Sequence, residues 1–184
     1  MDEKIKLDEY IWKKRNEMYK EWNRVLPTNE LFFDRWEKAK WLDFGEDTTI
    51  YDSSVVMGDV RVGKKVWIGP FTMLEAVSGT ITIGDFCSIS TGVQIYTHDA
   101  AMHAVSGGKV EFKKGDVYIG HNTYIGSMTI IKENVSVGNH CVIGANSFVN
   151  RNIEDYSIAI GTPARVVGKV VIEKDNVKFK YFDK

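Results

Sequence analysis

Aliphatic side chains recur every six residues along most of the chain. The series slips by three residues once and is interrupted at length once, but every member is Ile, Leu or Val. A chance distribution of these residues would not hold such a period over so many steps. The positions are Ile50, Val56, Val62, Ile68 and Leu74, then Ile83, Ile89 and Ile95, then Ile119, Ile125, Ile131, Val137, Ile143 and Val149.

Two further positions of each hexapeptide are restricted. Glycine often follows the aliphatic residue, and we expect it where a corner needs backbone torsions that a Cβ atom would penalise. Three residues beyond that position the side chain is small or β-branched. The glycines are at 63, 69, 84, 120, 126, 138 and 144, and the small or branched residues are Ser54, Val60, Val66, Thr72, Cys87, Val93, Thr123, Thr129, Val135, Cys141 and Ser147.

This pattern predicts a parallel β-helix. A period of six fits neither an α-helix nor a coiled coil, and a simple sheet would not have glycine after every short apolar run. Each hexapeptide would form one short strand and one corner, and three would make a triangular coil. The aliphatic side chains would then stack inside as ladders, coil upon coil, as in a solenoid.

Residues 1–45 follow a different pattern, rich in Trp, Lys and Glu, with apolar side chains at helical spacing. Pro27 ends a first helix, and aromatic residues up to Trp41 suggest a second. We expect a helical cap over the open end of the solenoid, with a role in acceptor binding as the alternative. The predicted organisation is a cap at 1–45, a β-helix at 46–169 with one long extruded loop at about 99–116, and a terminal strand or tail at 170–184.

Composition narrows the function. Hydrophobic residues make up 43% of the 184 residues and the formal net charge is −1, so no global field favours nucleic acid or an anionic membrane. The charged start at Met1 and the lack of a long apolar run predict no membrane insertion and a cytoplasmic location. Cys87 and Cys141 form no CxxC pair, which argues against a zinc ribbon or a disulfide scaffold.

Both interruptions of the repeat fall at one corner. Leu74 and Ile95 occupy the same face on neighbouring coils, and the slip at 77–79 and the excursion at 99–116 both follow that face. Loops that leave a solenoid usually carry its function, and one of this length is unlike a simple connection. The excursion opens with the sequence Tyr96-Thr97-His98-Asp99.

Residues 50–168 resemble the left-handed β-helix acyltransferases. The segment from Val117-Tyr118-Ile119-Gly120 to Gly161-Thr162-Pro163-Ala164-Arg165 is similar to sugar O-acetyltransferases of the maltose/galactoside type. The resemblance implies a left-handed coil, although the usual crossover rule would give the opposite hand. It also implies acetyl-coenzyme A as co-substrate, no required metal, and a homotrimer in which a neighbouring subunit supplies the second wall of each cleft.

The resemblance implies that His98 is the general base, because the catalytic His of these enzymes lies where the loop leaves the β-helix. An imidazole suits the removal of a hydroxyl proton near neutral pH. Asp99 or a backbone carbonyl could fix its tautomer. Glu75, Tyr96 and Asp99 are expected to contact the acceptor, with a solvated charge as the alternative for Glu75. Enzymes of the family carry an Asn that helps hold the acceptor, in the coil before the catalytic loop. The corresponding stretch of this chain, residues 68–71, contains no Asn.

The resemblance also implies a coenzyme A groove on the later coils. Ser127 and Ala145 match positions whose backbone binds pantetheine, and Asn150-Arg151 match the Thr-Lys pair of the family. Arg165 matches its basic residue, so both arginines would bind phosphates. A plain turn that ends the solenoid is the alternative interpretation of these positions.

The sequence therefore predicts an O-acetyltransferase that acts on a sugar or a polysaccharide precursor. An antibiotic or other xenobiotic hydroxyl is an alternative acceptor. A γ-carbonic-anhydrase-like metalloenzyme would need His98, His103 and His121 as ligands, although His103 belongs to the predicted loop. A scaffold without catalytic activity is the remaining alternative, since a fold alone does not determine function.

Overall fold

The computed structural model of the chain describes residues 3–174 and 176–182. It is a mainly β structure, a parallel β-solenoid of about 5 turns with few helices, which confirms the predicted fold class. Residues 1 and 2 of the predicted cap, and residues 175, 183 and 184 of the predicted terminal segment, lie outside the described residues.

The described chain opens with two helices, α1 (Glu3–Trp22) and α2 (Arg35–Trp41), joined by a 3₁₀ turn at Thr28–Leu31. The side chain of Asp34 caps α2 by accepting the N–H groups of Trp36 and Glu37. The Lys38 ammonium group of α2 donates to three backbone carbonyls of the first coil, at 2.8–3.2 Å. No helix among the described residues is long and apolar enough to span a membrane.

Short strands make up the rest, apart from the small helix α3 (Ala101–Val105) in the extruded loop. In chain order the strands are β1 (Thr49–Ile50), β2 (Val55–Val62), β3 (Trp67–Ile68), β4 (Met73–Ile83), β5 (Ser88–Ile89), β6 (Gln94–Tyr96), β7 (His98–Asp99), β8 (Lys113–Lys114), β9 (Val117–Ile119), β10 (Tyr124–Ile125), β11 (Ile130–Ile131), β12 (Val135–Val137), β13 (Val142–Ile143), β14 (Phe148–Val149), β15 (Ser157–Ile160), β16 (Arg165–Glu173) and β17 (Asn176–Tyr181).

Three faces form the triangular prism. Face 1 stacks β1, β3, β5, β10, β13 and β15; face 2 stacks the first half of β2, the first half of β4, β6, β11 and β14; face 3 stacks the second halves of β2 and β4, β9 and β12. The pairing is parallel throughout, so each residue lies above its equivalent one coil earlier. Every aliphatic position of the repeat is buried except Val56, which is partly buried.

The glycines of the repeat do not have the torsions expected from the sequence. Neither Gly120 nor Gly138 has a positive φ, whereas the corner residue Asn122, two positions after Gly120, has a φ of 58°. Glycine is needed at position 120 because the next coil lies too close: a Cβ there would come within 2.7 Å of the Gly138 carbonyl carbon. Glycine is therefore required at this position because the backbones of neighbouring coils approach closely, and not because the position has unusual torsions.

Two antiparallel features depart from the coil. In the extruded loop β7 pairs with β8, which joins His98 to Lys114 and Asp99 to Lys113 in register. At the end of the solenoid β16 folds back on β15 and β17 pairs with β16, so the last coil is followed by a hairpin.

The small positions of the repeat connect successive coils from the inside. The Thr123 hydroxyl donates to the Gly138 carbonyl oxygen at 2.8 Å, and the Cys87 thiol lies 2.9 Å from the Gly120 carbonyl oxygen. Cys87 and Cys141 are both free and buried. The strand register places Thr123 between them, so the two thiols are two coils apart. This agrees with the predicted absence of a disulfide.

We predict that both cysteines resist thiol reagents until the protein unfolds. Burial raises the pKa of Cys87 to about 11 and raises the pKa of Cys141, so neither thiol forms the reactive thiolate at neutral pH. Colorimetric thiol titration of the native and the urea-unfolded protein measures this directly. A Ser136→Cys variant, whose new thiol would lie on the exposed surface, is the control for rapid labelling. Fast native labelling of Cys87 or Cys141 would show that the coil register is wrong.

Candidate active site

The residues predicted to act on the acceptor lie at the corner between face 2 and face 3, here named the loop corner. Glu75 pairs with Tyr96 on the next coil, and Ile95 pairs with Ile131 one coil further on. The extruded loop leaves the solenoid here, and the slip at 77–79 lies beside it because the Ser78 N–H donates to the Thr97 hydroxyl at 3.1 Å. Both interruptions therefore share one corner, as the sequence count indicates.

His98 is held by Glu75. The Nδ1 atom of His98 lies 2.8 Å from Oε2 of Glu75, and the other carboxylate oxygen accepts the Val77 N–H at 3.0 Å. The Glu75 side chain is only 5% exposed, whereas the His98 side chain is 29% exposed. An ionised Glu75 requires the proton of a neutral imidazole to be on Nδ1, so Nε2 keeps its lone pair.

Asp99 does not take the orienting role considered for it. Its Oδ1 accepts the Ala101 N–H at 2.8 Å, and the contact to Nδ1 of His98 is made by Glu75 instead. Tyr96 donates its hydroxyl to the Gln94 side chain at 2.7 Å. The sequence count placed Glu75 one coil below Tyr96 but did not indicate its contact with His98.

A cleft of about 340 Å³ opens in front of His98. Its volume falls in the range of small-molecule sites, and its lining combines apolar side chains with a few polar ones, as such sites do. Of the predicted acceptor residues, Tyr96 and Asp99 line the cleft while Glu75 lies behind His98. The lining consists of Tyr96, His98, Asp99, Ala100, Ile130, Lys132, Glu133 and Phe148.

Lys132 and Glu133 are residues of this cleft that sequence reasoning missed. They follow Ile131, which stacks on Ile95, so counting coils would have placed them at the loop corner above Tyr96 and Thr97. The Lys132 ammonium group lies 2.8 Å from Oε1 of Glu133 and 4.0 Å from Oδ2 of Asp99. With Glu75 and Asp99, Glu133 brings the number of carboxylates at the loop corner to three, and Glu75 is the one that contacts the imidazole.

The predicted coenzyme A residues lie at two corners. Ser127 and Ala145 belong to the corner between face 1 and face 2, where the Ser127 carbonyl accepts the N–H of Asn146 at 2.9 Å. Asn150 and Arg151 follow β14 and therefore extend the loop corner, one coil above Lys132 and Glu133. Face 2 separates the two groups within one subunit.

Arg165 begins β16, where it pairs with Ile160 at the end of the last strand of face 1. The preceding residue, Ala164, donates its N–H to the carbonyl of Phe148, the first residue of β14, at 2.8 Å, so Arg165 lies near the corner between face 1 and face 2. Arg151 and Arg165 are both exposed, and neither takes part in an ion pair within the described part of the chain. Both guanidinium groups are thus available for an anionic ligand.

The other histidines considered as metal ligands have separate partners. Nδ1 of His103 lies 2.8 Å from the Val110 carbonyl within the loop, and Nδ1 of His121 accepts the Asp85 N–H at 2.9 Å on face 3. Among the residues that the structure describes, no group of three or more His, Cys, Asp or Glu side chains is arranged to hold a metal ion.

Comparison with known proteins gives one family and several relatives. Residues 116–151 match the bacterial transferase hexapeptide family (six repeats). The galactoside O-acetyltransferase of Escherichia coli (strain K12) is 29% identical over 124 residues, which cover 67% of this chain and 59% of that protein. A maltose O-acetyltransferase structure from Clostridium difficile 630 has a TM-score of 0.58 and 27% identity, over 91% of this chain and 89% of that one.

A further solved structure is a variant of an N-acyltransferase from Bacillus cereus in complex with dTDP and coenzyme A. It has a TM-score of 0.61 and 27% identity, over 68% of this chain and 72% of that one. The chain spans about half the length of the curated relatives it matches, from 43% to 59% for three of them. The predicted resemblance is thereby confirmed: this chain is a hexapeptide-repeat β-helix protein similar to acetyltransferases that include the galactoside and maltose O-acetyltransferases.

Proposed function

We propose that the protein transfers an acetyl group from acetyl-coenzyme A to a hydroxyl of a sugar or a polysaccharide precursor, with His98 as general base. The observation that carries the proposal is the hydrogen bond of 2.8 Å between His98 and the buried Glu75 at the mouth of a cleft. A base held in one tautomer, in the wall of a cleft of ligand size, is the arrangement that general-base catalysis needs.

The chemistry follows from this arrangement. Nε2 of His98 would take the proton from the acceptor hydroxyl as that oxygen attacks the thioester carbonyl. The carbon–sulfur bond then breaks, and the thiol of coenzyme A leaves with the proton returned by the imidazole. Glu75 would stabilise the imidazolium formed between these two steps, because its carboxylate is buried and already hydrogen-bonded to Nδ1. We therefore assign Glu75 to positioning, and Tyr96 and Asp99 to the acceptor.

The relatives support the acceptor class. A galactoside O-acetyltransferase is similar to 67% of this chain, and a maltose O-acetyltransferase structure to 91% of it. Sugars present several hydroxyls and apolar ring faces, and this cleft offers polar side chains beside Ile130 and Phe148. Acetyl-coenzyme A is the donor we propose, and the cytoplasm is the compartment we propose for the reaction.

Coenzyme A would contact two corners of the β-helix. The backbone at Ser127 and Ala145 offers a groove for pantetheine, and Asn150, Arg151 and Arg165 offer polar and cationic groups for the phosphates. Within one subunit Asn150 and Arg151 lie at the loop corner, whereas Ser127, Ala145 and Arg165 lie at the corner between face 1 and face 2. A neighbouring copy packed against face 2 would bring one subunit's loop corner beside the other corner of its neighbour. We therefore propose a cyclic homotrimer with three equivalent clefts.

Replacing His98 by alanine should lower kcat for acetyl transfer by about 10²–10⁴-fold, the usual contribution of a general base. The KM for acetyl-coenzyme A should change little, because the imidazole acts on the acceptor. Thiol release from acetyl-coenzyme A in the presence of a galactoside or maltose measures the rate. A His103→Ala variant, altered in the same loop, serves as the control. Near-normal turnover in the His98 variant would overturn the assignment.

Replacing Glu75 by glutamine should lower kcat by about 10- to 100-fold, because the amide is neutral and no longer fixes the Nδ1 proton. The KM values for both substrates should stay within about twofold, as expected for a residue that acts through His98. Glu111→Gln, an exposed carboxylate of the same loop, is the matched control. If the KM for the acceptor rises and kcat does not fall, Glu75 contacts the acceptor instead.

Replacing Arg151 or Arg165 by alanine should raise the KM for acetyl-coenzyme A roughly 10-fold and lower kcat less. Contacts to phosphates remote from the thioester contribute equally to binding the ground state and the transition state. Acetyl-pantetheine, which has no nucleotide phosphates, tests the assignment, because the variants should use it as well as the unaltered protein does. An equal penalty on acetyl-pantetheine would exclude the phosphate role.

A further inference from the structure

Glu133 has a buried carboxylate, and one of its two oxygens has no hydrogen-bond partner among the described residues. Its side chain is 6% exposed, and Oε1 lies 2.8 Å from the Lys132 ammonium group. Its Oε2 atom is buried and has no hydrogen-bond partner within the described residues. The corresponding residue at the coil below, Thr97, has its hydroxyl satisfied by the Glu75 carbonyl at 3.1 Å. Among the described residues, Glu133 is thus the buried polar side chain of this corner that keeps an unpaired atom.

An unpaired carboxylate oxygen in the interior costs free energy, because water no longer solvates it and no donor replaces that water. Buried polar atoms in native proteins almost always have a partner, so each exception calls for an explanation. Lys132 balances the charge through Oε1 and lies 4.0 Å from Asp99, which leaves Oε2 free to accept another hydrogen bond. The missing partner must therefore be a donor.

Glu133 lies where a bound acceptor would supply that donor. It lines the same cleft as His98, together with Ile130 and Phe148. It belongs to the coil immediately above the one that carries His98, since Ile131 pairs with Ile95. Adjacent coils are spaced like strands, about 4.8 Å apart. A carboxylate and a base on adjacent coils, both lining one cleft, would contact neighbouring substituents of one sugar ring.

We propose that Glu133 is a specificity-determining residue that accepts a hydrogen bond from a second donor of the acceptor, next to the hydroxyl that is acetylated. The inference rests on the proposed function and narrows its substrate class to acceptors that carry a hydroxyl or a protonated amine beside the reacting group. Asp99 and Glu75 are also acidic, whereas Lys132 and the loop residues Lys113 and Lys114 are basic, so charge alone does not separate these two donors.

The test compares Glu133→Gln with the unaltered protein on two sets of acceptors. The first set is a methyl galactoside and its monodeoxy analogues, and the second contains the matching monoamino sugars. Glutamine keeps the shape of the side chain but removes its charge and half of its accepting capacity. We expect the KM for the full galactoside to rise about 10- to 100-fold, with the KM for acetyl-coenzyme A within about twofold.

The analogues identify the donor. With the unaltered protein, one deoxy analogue should show the same rise in acceptor KM that Glu133→Gln causes with the full galactoside. With Glu133→Gln, that analogue should show no further rise, because the two changes remove the same contact. A larger loss on the matching amino sugar than on the galactoside identifies an ammonium donor, and a loss confined to the hydroxyl compounds identifies a hydroxyl. Glu154→Gln, an exposed carboxylate outside the cleft, is the control, and thermal unfolding checks that each variant is folded.

Several results would overturn the inference. An unchanged acceptor KM in Glu133→Gln would overturn it. A rise in the KM for acetyl-coenzyme A in place of the acceptor KM would also overturn it, because the donor to Glu133 would then be an amide of pantetheine. If no sugar is acetylated, saturation-transfer NMR of the same sugars compares binding to the two proteins, and equal or absent signals also reject it. The proposed function fails separately, when thiol release from acetyl-coenzyme A is independent of His98.

Discussion

The vertical pairing of each coil with the next is the constraint on which the rest of the structure depends. Residues 18 positions apart, such as Ile125 and Ile143, pair in parallel and in register, and their side chains stack in the interior. An insertion inside a strand would move every later aliphatic residue out of the core. Extra residues can therefore leave the solenoid only at a corner, where they do not shift the aliphatic ladders. The loop at residues 99–116 meets this condition because the chain returns to Val117 beside Ile81.

The same pairing explains the candidate site. Stacking brings residues that are far apart in sequence to adjacent levels of one corner, with Glu75 below His98 and Glu133 above it. Each coil contributes a side chain to this corner at a position fixed by the strand pairing, so the site is built from the solenoid itself and needs no separate domain. The rigid coils hold the carboxylate that orients the imidazole, while the loop and face 2 supply the walls of the cleft. A site built in this way can change its acceptor by substitutions at single corner positions without disturbing the ladders.

Much of the fold could be predicted because the repeat reports inward-facing positions directly. The period places Ile95 over Leu74 and therefore locates the corner that carries His98. It does not report which way a side chain turns at a corner, since that depends on local hydrogen bonds such as the one from the Val77 N–H to Glu75. For this reason the contact between Glu75 and His98 was missed, whereas counting coils could have located Lys132 and Glu133. The repeat glycines were located but misinterpreted, because a sequence shows that a Cβ is excluded without showing whether torsion or contact excludes it.

The antiparallel hairpin at the end of the solenoid has a consequence for how copies of the chain associate. A stack of parallel coils ends in open backbone groups that another β segment could pair with, which is the geometry of fibrous aggregates. Here β16 reverses direction over β15, so a further coil cannot continue the parallel register. The outermost strand, β17, carries Lys178 and Lys180 between its apolar residues. Two copies that met at this edge would bring lysine side chains of like charge together. The reversed strand direction and this repulsion both oppose the association of further copies along the axis of the prism.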